Sequence, residues 1–106
     1  MENRRDFVRF FSELKARYLI KDDTRGWKEC TITNASLKGM GINFPTYEDI
    51  YMGSILFLVI SVPTELVPVN VRGKLQWTKK KAPHLVGGIE YPELLDDKKF
   101  SKLGLF

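Results

Sequence analysis

A chain of 106 residues holds one small domain with one core, and 43% hydrophobic against 28% charged residues suits a folded globular protein rather than a disordered tail or a membrane protein. The net charge of +4 and a pI near 9.3 predict a surface that attracts anions modestly, without choosing among mononucleotides, nucleic acid and acidic proteins. A lone Cys30 and a lone His84 exclude an internal disulfide and a zinc or redox cluster.

In chain order, the polar amino terminus with Glu2, Arg4, Arg5 and Asp6 has no apolar segment behind it, as a leader would. Leu14, Ala16, Tyr18 and Ile20 alternate with Lys15, Arg17 and Lys21, which predicts a first, half-buried strand. The polar, glycine-terminated run Asp22-Asp23-Thr24-Arg25-Gly26 predicts a hairpin turn, and Cys30 and Ile32 alternate with Glu29, Thr31 and Thr33 on a returning strand that runs into Asn34. A short third strand follows Gly39 and Gly41 through Ile42 and Phe44, with Pro45 closing it at an edge. Residues 54–62 read as a fourth strand, whose apolar run is far short of the roughly 20 residues of a spanning helix. The expectation is a cytoplasmic, unanchored protein in a reducing compartment.

The longest alternation, residues 67–77, sets Val69, Val71, Leu75 and Trp77 on one face and Asn70, Arg72, Lys74 and Gln76 on the other, so Trp77 is expected in the core. Gly73 falls on the apolar face, where a missing side chain permits a sharp bend or a close backbone approach. Residues 79–84 are expected to turn the chain, with Lys79, Lys80 and Lys81 as a charged tip and His84 exposed beside Pro83, into a sixth strand over 85–91. Pro92, with Leu94, Leu95, Phe100 and Leu103 beyond it, predicts a short terminal helix with proline in its first turn. The fold class is all-β: a small antiparallel six-stranded barrel with a C-terminal helix and a flexible N-terminal segment. Residues 1–12 form the segment, 13–91 the barrel and 92–106 the helix and tail.

No enzyme is expected. The carboxylates come as sequence neighbours (Asp22-Asp23, Glu48-Asp49, Asp96-Asp97) that suit surface turns and a helix, and no nucleophile elbow, Walker loop or metal spacing occurs. Cys30 and Met40 read as packing residues.

Two segments carry more. Arg5-Asp6-Phe7-Val8-Arg9 precedes the first strand, and Asn34-Ala35-Ser36-Leu37-Lys38-Gly39 lies between the second and third. The arginines alone would be a solvated basic tail, and the second segment alone a competent turn. Together, in this order, they resemble the RxxxR and (D/N)xSxxG signatures of the PilZ domain family, and Gly73-Lys74-Leu75-Gln76-Trp77 followed by Gly88-Ile89-Glu90-Tyr91 resembles that family's late-strand pattern. The resemblance implies a PilZ-type barrel that binds cyclic di-GMP through Arg4, Arg5, Arg9, Asn34, Ser36 and Gly39. A basic residue at Arg4 is associated there with a stacked pair of nucleotides.

The chemistry is consistent with this. Arginine's planar fork matches a phosphate or the O6/N7 edge of guanine, and its flat face stacks on a purine. Asn34 and Ser36 can hydrogen-bond guanine or their own turn, and Gly39 is expected to adopt angles that turn main-chain N–H groups toward an anion. The implied function is a receptor that changes shape on binding cyclic di-GMP and signals to an unidentified partner protein in motility, biofilm or exopolysaccharide control. The alternatives are a PilZ-type adaptor without nucleotide binding, related to type IV pilus assembly, and a single-stranded nucleic-acid binder. The last would need Trp27, Tyr47 or Tyr51 exposed on a basic groove.

Overall fold

Wherever apolar side chains alternate along the chain, a strand forms with those side chains turned to one core. The structure, a computed structural model, describes residues 13–45, 50–93 and 97–103. Its strands are β1 (Leu14–Ile20), β2 (Lys28–Ala35), β3 (Gly39–Phe44), β4 (Ile55–Ile60), β5 (Val69–Lys81) and β6 (His84–Glu90), followed by one helix, α1 (Asp97–Lys102). They close into a barrel in the order β1-β2-β3-β6-β5-β4, every neighbouring pair antiparallel.

Closure follows from pairing β1 with both β2 and β4, so each strand's backbone groups are taken up on both sides. Pro45 therefore stands beyond the end of β3 and not at a sheet edge. The interior is filled by inward positions of all six strands, with Ile32, Phe44, Leu56 and Ile60 fully buried. Tyr18 meets Phe44 edge to face, their ring centres 5.0 Å apart. Cys30 and Met40 lie in this core as expected, and burial pushes the Cys30 thiol up to about 12. In the β1–β2 turn, Asp22 and Gly26 take positive φ (65° and 82°). The Arg25 guanidinium and backbone N–H both donate to the Asp23 carboxylate, holding it down to about 2.

Several expectations needed correction. The three lysines Lys79, Lys80 and Lys81 belong to β5, and Ala82-Pro83 alone makes the turn to β6. His84 opens β6 and is half-buried rather than exposed in a turn. Pro92 lies in a bend ahead of α1 and is not helical. Gly73 does face inward, and what comes nearest is a side chain: a Cβ there would lie 2.6 Å from Cδ1 of Ile89, which fills the space.

Candidate functional site

Two β-bulges govern the outer wall of the barrel. In β2 the register slips between Ile32 and Asn34, and in β5 it slips between Leu75 and Trp77. Each bulge changes the inside–outside phase of its strand, so Asn34 points outward while Ala35 stays in the core, and Trp77 points outward while Leu75 stays in the core. Trp77 is thus 48% exposed, against the expectation of a core residue.

The bulges act on one row. Asn34 pairs with Gly41, Gly41 with Gly88, and Gly88 with Trp77, which places the amide and the indole at the two ends of a row whose middle has no side chains. Both glycines are covered by their neighbours: a Cβ on Gly41 would come 2.7 Å from Asn34 Nδ2, and one on Gly88 would overlap the Trp77 indole around Nε1. The side chains of Asn34 and Trp77 therefore lean inward along the row and lie over the two glycines. The resulting groove is about 450 Å³, with Ser36, Lys38, Gln76 and Glu90 also on its walls.

Next to this floor, the turn from β2 to β3 is held by Ser36. Its hydroxyl accepts from the N–H of Lys38 (3.3 Å) and of Gly39 (3.4 Å) and donates to the Gly39 carbonyl (3.3 Å), while Ser36 N–H donates to the same carbonyl at 2.8 Å. Ser36 is only 2% exposed. Of the two uses open to it in the sequence, it serves its own turn. The expectation for Gly39 is corrected on the same ground. Its φ is not among the positive ones, and its N–H points at Ser36 rather than outward. Glycine is required because the Ile89 carbonyl of β6 occupies the place of a Cβ. Tyr91 N–H donates to the Lys38 carbonyl at 2.9 Å, which ties the turn to the end of β6.

Asn34 is half-buried, and its Nδ2 donates weakly to Thr33 Oγ1 at 3.4 Å, so most of its amide capacity is uncommitted among the described residues. Of the six residues expected at the site, the structure brings Asn34, Ser36 and Gly39 to one groove; Arg4, Arg5 and Arg9 lie outside the described residues. Sequence reasoning missed Gly41 and Gly88 as parts of it, and weighed Trp77 at the ligand but placed it in the core. Among the described residues lining the groove, Lys38 is the one cation and Glu90 the one carboxylate, so this wall brings almost no net charge of its own. Chemically, it offers a flat aromatic face and an amide, both held close to the barrel wall by the glycines beneath them.

Among the described residues no three His, Cys, Asp or Glu side chains gather as metal ligands, and no helix is long and apolar enough to cross a membrane. No curated protein sequence matches the chain at a significant level. Among solved structures, the Bacillus subtilis inhibitor of motility (MotI/DgrA) superposes with a TM-score of 0.72 over 97% of this chain at 17% identity, a likeness of fold. This chain spans about half (49%) of the length of that protein. The family model of the PilZ domain matches residues 3–104, nearly the whole sequence, and the chain accordingly belongs to the PilZ domain family.

Proposed function

We propose that the glycine-floored groove is the guanine-binding wall of a cyclic di-GMP receptor. The observation that carries this is the row Asn34–Gly41–Gly88–Trp77, in which an indole and an amide stand at either end of a floor without side chains. A purine stacks on the outer face of the Trp77 indole, which lies flat over Gly88, and is hydrogen-bonded at its edge by Asn34, with Ser36 and Gly39 holding the turn that presents Asn34. The groove supplies one cation, Lys38, offset by Glu90, against two phosphates, so these are met by Arg4, Arg5 and Arg9, brought over the ligand from ahead of β1. Their two-point hydrogen bonds to phosphate and to O6/N7 are worth roughly 1.5–3 kcal/mol each. With Arg4 present, the nucleotide binds as a stacked pair.

Binding draws the amino-terminal segment onto the barrel, and that change of shape is what a downstream protein reads. Membership of the PilZ family and the likeness to an inhibitor of motility favour motility control as the output. The decisive experiment is an isothermal titration of cyclic di-GMP into the purified chain, beside an Arg5→Ala/Arg9→Ala variant and with GMP as control. Saturable binding, at least tenfold weaker in the variant, is expected, with a stoichiometry of two nucleotides per chain. Absence of binding up to about 1 mM would remove the receptor reading and leave the adaptor.

A further inference from the structure

On the wall opposite the glycine floor, β4 is apolar on both faces. Leu56, Leu58 and Ile60 fill the core, while Ile55, Phe57 and Val59 point outward and are only half-buried. A barrel strand that meets only water carries polar residues outside, so a second apolar face marks a surface that something covers. Its neighbours are patterned too. Leu19 on β1, Phe57 and Arg72 on β5 form one row; Arg17, Val59 and Asn70 form the next; Ile55 stands opposite Lys74, and Lys21 N–H donates to its carbonyl. An apolar stripe thus runs between two cationic rails, Arg17 and Lys21 on one side and Arg72 and Lys74 on the other.

The rails are unevenly matched by acids. Glu29 stands opposite Arg17 and Glu90 opposite Lys74, whereas Arg72 has no carboxylate across its ladder. The groove over this wall, about 770 Å³, is completed by Trp27, 47% exposed, and by Pro92, Glu93 and Lys99 from the chain after β6. Among the described residues lining it, Glu93 is the one carboxylate.

We infer that this stripe is a docking surface for an amphipathic helix of a partner protein, apolar on one side and flanked by Asp and Glu. The closed barrel leaves no strand edge for an added strand, so a partner must lay side chains across the wall. From Ile55 to Val59 the stripe spans about 13 Å, which matches roughly nine residues of helix. The rails select negative flanks. Leu19, Phe57 and Val59, half-buried in a concave groove, suit packing against Leu or Ile better than insertion among lipid tails, and base stacking on Trp27, the exposed ring among the described residues lining the groove, is what an oligothymidylate tests. This surface deepens the partner half of the proposed function and does not depend on nucleotide binding.

The test is an NMR titration of the full chain with a synthetic helix of about 15 residues bearing Leu on one side and Glu on its flanks, against a counterpart with Lys in place of Glu. Vesicles of phosphatidylcholine with phosphatidylglycerol and an oligothymidylate are run in parallel. Expected are shifts at Leu19, Phe57, Val59 and Arg72 with the Glu helix, at least tenfold weaker binding by Arg72→Glu/Lys21→Glu, and a reversed preference for the Lys helix in that variant. The same variant should bind cyclic di-GMP as the parent does, so loss of nucleotide binding in the parent with helix docking intact would fault the receptor reading alone. Equal affinity for both helices, no binding, shifts confined to the Asn34–Trp77 row, or preference for vesicles or DNA would overturn the docking surface.

Discussion

Trp77 shows how one residue's role can turn on the phase of its strand. Outside the barrel and leaning over Gly88, its ring is free to stack, and base–aromatic stacking contributes about 1–3 kcal/mol. Trp77→Ala is therefore expected to weaken cyclic di-GMP roughly tenfold or more with little loss of stability, and Trp77→Phe to retain most of the affinity; titration beside thermal melts checks both. Cys30 gives the opposite case. Its thiol has an ordinary value of 9.0 and is raised to about 12 by burial, so between those values the unfolded chain releases a proton that the folded chain keeps. Stability should fall as pH rises through that window and show no slope from this group below it. Denaturant melts from pH 8 to about 11 are expected to fall less steeply for Cys30→Ala than for the parent. Among the residues singled out in the sequence, Cys30 and Met40 lie in the core and Ser36 in the turn, whereas Asn34, which alternation from Cys30 and Ile32 would turn inward, is turned outward by the bulge that precedes it.

At the scale of the elements, the site is built by irregularities. Two bulges aim Asn34 and Trp77 along a row that β3 and β6 keep bare with Gly41 and Gly88. The glycines around it differ in what excludes a side chain, and this separates stability from binding. At Gly39 the obstacle is the backbone of Ile89, so Gly39→Ala must part β3 from β6; a loss of about 1–3 kcal/mol is expected in denaturant melts. At Gly88 the obstacle is the half-exposed indole of Trp77, which can swing aside. Gly88→Ala should therefore keep most of its stability while weakening cyclic di-GMP several-fold, and equal melting losses for the two variants would contradict this account. The β5 bulge had a trace in the sequence. Continuing the alternation past Leu75 would bury Lys79 and Lys81 as well as Trp77, and lysines do not enter a barrel core unpaired, so the phase had to break in between.

The whole molecule presents two walls joined by β5: the glycine floor across β2, β3, β6 and β5, and the cation-railed stripe across β1, β4 and β5. In a closed barrel no edge remains for strand addition, so recognition on either wall goes through side chains. Ligand that binds only the folded chain stabilises it by about 2.7 kcal/mol at a hundredfold excess over Kd. For a domain near 100 residues this raises Tm by roughly 10 °C or more, and the Arg5→Ala/Arg9→Ala variant at the same nucleotide concentration should show a much smaller rise. The sequence by itself determined six strands, an all-β barrel and the position of the Ser36 turn. Those depend on local alternation and turn chemistry, which each segment carries within itself. Only the tertiary structure decided that Trp77 and Asn34 share a row, that Gly39 yields to the backbone of β6, and that β4 shows an apolar outer face between basic rails. Those depend on register between strands distant in the chain, and a slip of one residue there turns a side chain from core to surface.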